Sequence, residues 1–346
     1  MSFRPLLFLL AACLGAGLPD VCRAQAEGML VGLRYQAAIE RPLPYYAGSA
    51  DSLLRPVYRT LLLTHQDSTF TVRTAPDVLL IPVEGRFWSV GAKRSVYNNW
   101  VEDFVWAAPS GMRPELAGIP AFNGEYCAGH RVQSILYAGP RYLALNQRSA
   151  GYCEGAAHPW FFNTLAVVPL DSTTHTGLAI GDVLTPAAYT VFGSRAASHL
   201  AGLPPRQRAR YNGVPDPANW SPVRRGGRWA VVGRIEGADE TERMLTQDLT
   251  LPLTLPASMA GLPPADWARV RTFAPDAVDA LLAPSGAWMA LLRPGQLSLH
   301  FVRGGRIGPA VMRRLVPPGA EVVMIRTASG TQLRPWRQHF DRLATR

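Results

Sequence analysis

Glycine and proline recur along the whole chain and divide it into short segments. The 346 residues include 31 glycines and 30 prolines, so few stretches can form a long, uninterrupted amphipathic helix. This excludes coiled coils and helical bundles. Apolar residues still make up 48% of the chain, enough for a sizeable hydrophobic core, which excludes a mainly disordered protein.

The apolar runs between these breaks have the length and composition of β-strands. They are four to nine residues long and rich in β-branched and aromatic side chains. Two-residue turns are predicted at Glu84-Gly85 and at Pro294-Gly295, and in the strand after the second turn Ser298 and His300 are expected to face solvent. We predict strands at 60–64, 69–73, 78–83, 87–91, 104–107, 131–137, 142–146, 162–170, 229–235, 247–255, 287–292, 297–302 and 321–327.

One clear helix is predicted near 186–201. Thr185 is its expected N-cap and Pro186 its first helical residue. One face of this helix carries Tyr189, Phe192, Ala196 and Leu200. The C terminus suggests a second, short helix. The predicted fold class is therefore α+β: a β-rich chain with few helices and antiparallel sheets.

A proline-rich segment from Pro109 to Pro120 is the best candidate for a domain boundary, which we place near residue 112. The predicted organisation is a signal peptide at 1–26, a β-rich N-terminal domain at 27–112 and an α+β domain at 113–346.

The N terminus resembles an export signal. Arg4 precedes an apolar run from Pro5 to Leu18, and Ala24-Gln25-Ala26 has the small-x-small pattern that signal peptidase cleaves. The mature chain is then expected to begin at Glu27, in the periplasm or outside the cell, without a membrane-spanning segment. The alternative is a lipoprotein signal at Leu10-Ala11-Ala12-Cys13, with a lipid anchor on Cys13.

Two cysteines remain after such a cleavage, Cys127 and Cys153. In an oxidising compartment we expect them to form a disulfide. The competing interpretations are two free thiols and a zinc site. Zinc is considered because His130 follows the first cysteine closely and His158 the second. No cofactor-binding motif occurs in the sequence, and no cofactor is expected.

The segment from Tyr142 to His158 consists of a predicted strand followed by a turn of small residues that ends in histidine, and Leu178-Ala-Ile-Gly-Asp-Val-Leu184 then leads into the helix. Near the C terminus, Leu333-Arg-Pro-Trp336 follows the last strand. This order resembles the extracytoplasmic domain family shared by the lysozyme-sensing anti-sigma factor RsiV and the peptidoglycan deacetylase PdaC. The resemblance covers 113–337 at most, and Ala156 stands where the family has a second glycine in the turn.

This resemblance implies binding rather than chemistry. In the anti-sigma factor the domain binds lysozyme, and in the deacetylase it accompanies a separate catalytic domain. We therefore expect an exported binding or sensing module of the cell envelope without catalytic activity, whose partner is lysozyme, another envelope protein or an envelope glycan.

The alternative function is an envelope hydrolase or glycan-modifying enzyme. It would use His158 as general base with Glu154 as its carboxylate neighbour, the usual pair for acid–base catalysis. The competing interpretation of His158 is a turn residue that hydrogen-bonds the backbone. No nucleophile-elbow, zinc-protease, phosphate-loop or dinucleotide-binding motif occurs in the chain.

Basic and aromatic residues supply the candidate binding surface. The net charge is +10, carried by arginine, since Lys93 is the only lysine. Six arginines interleaved with aromatic residues could contact an anionic glycan, lipid phosphates or an acidic protein, whereas export argues against nucleic acid. They are Arg206, Arg208, Arg210, Arg224, Arg225 and Arg228. The competing interpretation is a solvated surface loop without a partner. A second candidate is a sugar-stacking face, and the competing interpretation is that the same aromatic residues pack in the core or on edge strands. They are Trp88, Tyr97, Trp100, Trp106 and Trp160.

Overall fold

The computed structural model describes residues 26–38, 54–97, 100–112, 127–153, 160–171, 177–238 and 245–344. It is 56% strand and 18% helix, and the described strands form four sheets.

The first sheet joins the two ends of the chain. Its order is β17-β1-β2-β3, where β1 is Glu27–Ala38, β2 is Leu54–Gln66, β3 is Thr69–Pro76 and β17 is Glu321–Ser329. β17 pairs antiparallel with β1, with Glu27 opposite Ser329 and Arg34 opposite Glu321. Strands from both sides of the predicted boundary near residue 112 therefore share one sheet.

The second sheet has six strands in sequence order. They are β4 (Leu79–Val83), β5 (Arg86–Tyr97), β6 (Trp100–Pro109), β7 (Cys127–Ala138), β8 (Tyr142–Cys153) and β9 (Trp160–Pro169). β6 and β7 run parallel over a short stretch, whereas the other neighbours are antiparallel. The sheet is thus two antiparallel meanders joined edge to edge.

Two smaller sheets complete the architecture. One consists of β10 (Trp220–Arg225), β11 (Arg228–Glu236) and β12 (Thr246–Leu251). The other consists of β13 (Asp279–Leu282), β14 (Trp288–Arg293), β15 (Gln296–Arg303) and β16 (Arg306–Leu315). Both are antiparallel meanders.

The four sheets are arranged as a four-bladed β-propeller. Strands β7, β10 and β17, each from a different sheet, approach one another at the centre. The predicted α+β class is therefore wrong. Helices are a minor part of a mainly antiparallel β protein. The four blades form a ring, which is closed by the pairing of β1 with β17 and not by helices packed on a sheet.

The helices are short, apart from two. They are α1 (Ile180–Val183), α2 (Ala187–Ala201), α3 (Pro205–Arg208), α4 (Ala257–Ala260), α5 (Trp267–Phe273) and α6 (Leu333–Ala344). α2 confirms the helix predicted near 186–201, but its N-cap residue is Pro186 rather than Thr185, no side chain caps it, and its first helical residue is Ala187. Phe192 is fully buried as expected, whereas Tyr189 is exposed. α6 confirms the short C-terminal helix.

Helix α2 packs on β11 because Gly233 has no side chain. A Cβ atom there would lie 2.4 Å from Cε2 of Phe192, closer than any ordinary contact. The phenyl ring therefore rests directly on the strand. Around it a cluster of buried residues joins α2 to β10, β11 and β12, including Trp220, Val231 and Leu251.

The turns follow local sequence rules. Val83 pairs with Arg86, and the intervening Glu84 and Gly85 have φ angles of 47° and 79°, which is the geometry of a type I′ hairpin turn. Gly295 has a φ of 77° between the paired ends of β14 and β15, as the predicted type II turn requires.

One prediction of side-chain orientation, in β15, is wrong. Ser298 and His300 are each 2% exposed rather than facing solvent. Nε2 of His300 lies 2.8 Å from Oγ of Ser298, and its Nδ1 lies 2.8 Å from the Gly308 carbonyl oxygen. β15 is covered on both faces, so the alternation of apolar and polar residues does not mark a solvent-exposed side here.

Candidate functional site

A polar cavity of about 410 Å³ lies where all four sheets meet. We call it the central pocket. The described residues that line it include four arginines, three carboxylates and a rim of smaller apolar side chains. The charged residues are Arg34, Arg224, Arg225, Arg234, Asp248, Asp279 and Glu321.

Arg224 connects two of the sheets through a buried ion pair. Its Nε donates to Oδ2 of Asp279 at 2.6 Å, and the two side chains are 6% and 7% exposed. Nη2 donates to the carbonyl oxygens of Gly227 and Ala280. The remaining nitrogen, Nη1, donates to no described residue. The guanidinium is thus held in place while part of its donor capacity stays unused.

Arg234 is held more completely. It stands directly opposite Asp248 in the β11–β12 ladder, so the carboxylate accepts from both Nε, at 2.7 Å, and Nη2, at 3.2 Å. Nη1 donates to Oδ1 of Asn146 at 2.9 Å and Oδ1 of Asn163 at 2.7 Å. This side chain therefore ties β11 and β12 to the neighbouring strands β8 and β9.

Arg34 likewise ties β1 and β17 to a neighbouring sheet. It is the register partner of Glu321 across β1 and β17, and the two side chains form an ion pair. Its Nη1 also donates to Oγ of Ser134 and to the Ile135 carbonyl oxygen on β7. The pair thus anchors the ring closure to the second sheet at the edge of the pocket.

Burial sets the electrostatics of this site. It raises the pKa of the Asp279 carboxyl, against the opposing effects of the Arg224 guanidinium and of backbone N–H groups. Because its described lining contains four arginines and three carboxylates, that lining carries one positive charge in excess when all are ionised. Such preorganised guanidinium groups are suited to hold an anionic group.

The six arginines predicted from their closeness in sequence separate in the structure. Arg224 and Arg225 line the central pocket, and Arg228 lines a different cavity beside α2. The other three lie in or directly after α3: Arg206, Arg208 and Arg210.

Several of the other predicted site residues lie outside the described residues. His158 and Glu154 lie there, as do Cys13 and the predicted signal peptide. The backbone of β7 and β8 places Cys127 directly opposite Cys153. The zinc alternative needs the side chains of these cysteines and of His158, none of which is described. Of the five aromatic residues, Trp88 and Trp106 are partly buried and Trp100 is buried, whereas the side chains of Tyr97 and Trp160 are not described.

Sequence reasoning missed Arg34, Arg234, Asp248, Asp279 and Glu321. The available signal was a charged residue inside an apolar strand, as in Val231-Val-Gly-Arg234-Ile. A buried charge needs a partner, but the partner cannot be read from the sequence while the strand pairing is unknown.

No family model matches the chain, and no curated protein matches it. Among the described residues, no helix combines the length and the apolar character needed to cross a membrane.

Proposed function

We propose that this protein is an exported binding or sensing module of the cell envelope, without catalytic activity, and that its central pocket holds the carboxylate of an envelope glycan. The observation that carries the proposal is the set of guanidinium groups fixed by carboxylates and backbone carbonyls where the four sheets meet.

Fixed arginines favour binding because little side-chain freedom is lost when the ligand arrives. Nη1 of Arg224, which donates to no described residue, is available for one carboxylate oxygen. A cavity of about 410 Å³ lies within the range of small-ligand sites. The lining carboxylates serve as arginine partners, an arrangement that supports a binding site more than an acid–base pair.

The test compares two sugars that differ in one carboxylate. N-acetylmuramic acid carries a lactyl carboxylate that N-acetylglucosamine lacks, and we expect only the former to bind in a calorimetric titration of the mature protein. The affinity should fall as salt is added, since ionic contacts are screened.

Val278 offers a matched pair of variants. It lines the pocket and is 48% exposed, so substitution there should change stability little. Val278→Glu should weaken binding about fivefold, or ~1 kcal/mol, through repulsion of the ligand carboxylate, while Val278→Gln should not. Equal binding of the two sugars, or equal affinities of the two variants, would contradict the proposal.

The resemblance to the extracytoplasmic domain family extends the proposal to lysozyme as an alternative partner. A pull-down of the mature protein with purified lysozyme and with peptidoglycan separates the two. If lysozyme captures the wild-type protein and the Val278→Glu variant equally well, the lysozyme interaction lies outside the central pocket.

A further inference from the structure

A second cavity, of about 790 Å³, shares no described lining residue with the central pocket. We call it the lateral groove. It is formed by α2, β11, β12, α4 and the connections around α4. Its described lining is Arg195, Arg228, Trp229, Ala230, Thr250, Leu251, Pro252, Leu253, Thr254, Leu255, Ala260, Leu262 and Pro264.

The floor of the lateral groove is apolar. Leu251 and Leu255 are buried in the core cluster beneath α2, and Leu253 packs against that cluster. Pro252 and Pro264 contribute apolar surface without a backbone N–H group. A hydrocarbon chain in this groove would therefore cover apolar surface and displace water without leaving many donors unpaired.

The rim of the groove is positively charged. Arg195 on α2 and Arg228 on β11 are both exposed, and neither forms an ion pair or hydrogen bond with a described residue. No carboxylate is among the described lining residues. In the central pocket, by contrast, Arg34, Arg224 and Arg234 each have a carboxylate partner. The charge of the groove is therefore not neutralised by its own described lining.

We propose that the lateral groove binds a single-chain amphiphile with an anionic head, its hydrocarbon chain on the leucine floor and its head between Arg195 and Arg228. This site is separate from the proposed glycan pocket and does not depend on it. A cavity of about 790 Å³ is within the range of sites that enclose small ligands.

Trp229 supplies an internal reporter of occupancy. Trp229 is one of the residues that line the groove. The Tyr137 ring lies edge-on to its indole at 5.1 Å between centroids, and Cζ of Arg224 lies 5.5 Å from the indole centroid. A chain entering the groove would replace water near the indole, so its fluorescence should change, and Trp229→Phe should abolish that component.

The experiment titrates the mature protein with decanoate, decyl phosphate, decanol and decyltrimethylammonium, all below their micelle concentrations, by calorimetry and tryptophan fluorescence. We expect one bound decanoate or decyl phosphate per chain, and binding at least tenfold weaker for the cationic amphiphile. Arg195→Gln/Arg228→Gln should weaken decanoate binding about twofold to thirtyfold, the range for two exposed ion pairs. The control is Arg206→Gln/Arg208→Gln, which removes two exposed arginines outside the groove and should leave the affinity unchanged.

Ala260→Trp, which fills the groove with a large side chain, should abolish decanoate binding while leaving N-acetylmuramic acid binding intact. If decanoate and decyltrimethylammonium bind equally, or if the control pair weakens binding as much as the groove pair, the proposal is overturned. Binding to phosphatidylglycerol vesicles without any binding of monomeric amphiphile would overturn it as well, because a membrane surface would then be the partner. If the protein binds decanoate but not N-acetylmuramic acid, the result contradicts only the proposed glycan site in the central pocket.

Discussion

The buried pair of Arg224 and Asp279 allows a quantitative test of how the sheets are held together. Arg224→Met removes one charge-assisted bond to the carboxylate and the donor to two carbonyl groups, those of Gly227 and Ala280. The Asp279 carboxylate then stays buried without its cation. Removing one partner of a buried pair typically costs about 3–5 kcal/mol, and we expect that loss in the free energy of unfolding.

Asp279→Leu should cost a similar amount, because it leaves the guanidinium of Arg224 buried and uncompensated. The double variant Arg224→Met/Asp279→Leu removes both charges and should cost much less than the sum of the single variants. The expected coupling free energy is at least ~2 kcal/mol. The residual loss in the double variant reflects the two carbonyl groups without a donor.

Urea unfolding followed by circular dichroism measures these values, provided that the slope m stays constant among the variants. Arg73→Met is the matched control. Arg73 pairs with Asp341 at 2.9 Å, but the side chains are 35% and 59% exposed, so this substitution should cost less than about 1 kcal/mol.

The pH dependence gives a second check on the same pair. Burial raises the pKa of Asp279, and removal of the Arg224 cation should raise it further. A folded-state pKa above the unfolded value means that stability falls as the pH rises through the interval between the two. The deficit of Arg224→Met should therefore be smaller at pH 5 than at pH 8. Additive single variants, or a deficit independent of pH, would refute the buried ion pair.

Three further predictions concern other parts of the chain. Non-reducing peptide mapping should recover Cys127 and Cys153 in one cross-linked peptide, because directly opposite residues of an antiparallel ladder have α-carbons about 4.5–5.5 Å apart; two free thiols would refute the disulfide. Gly233→Ala should lower the unfolding free energy by about 1–3 kcal/mol in thermal unfolding, because its Cβ would lie 2.4 Å from the aromatic ring above it. Gly193→Ala, with no atom within 4 Å of the new Cβ, should instead stabilise α2 by ~1 kcal/mol. Intact-mass measurement of an envelope fraction should give an unlipidated chain that starts at Glu27, and a diacylated species would contradict it.

Local features of the fold could be predicted from the sequence. The turn at Glu84-Gly85 and the helix Ala187–Ala201 depend on residues close to each other in the chain, so short-range rules suffice. The class of the fold could not be predicted in this way. The propeller depends on β1 pairing with β17, and nothing in either strand alone indicates the other as its partner.

The same limit applies to the central pocket. Closeness in sequence grouped Arg224 with Arg206 and Arg228, but the structure pairs Arg224 with Asp279 and Arg34 with Glu321. These partners come from different strands or sheets, and their positions depend on register. Arg224 was predicted to contact a partner at the surface, whereas in the structure it is buried and links two sheets.

The pairing of β1 with β17 has a consequence for how this chain acquires its structure. Glu27 and Ser329 are about 300 residues apart, so bringing them together carries a large loop-closure entropy, and contacts of such long range fold slowly. The first sheet cannot be completed until the last segment has been synthesised, and in an exported chain until that segment has been translocated. A chain that ends before Glu321 would lack the partner of Arg34 and one wall of the central pocket. Binding of the proposed ligand at that pocket would therefore report that the chain has been completed and folded through β17.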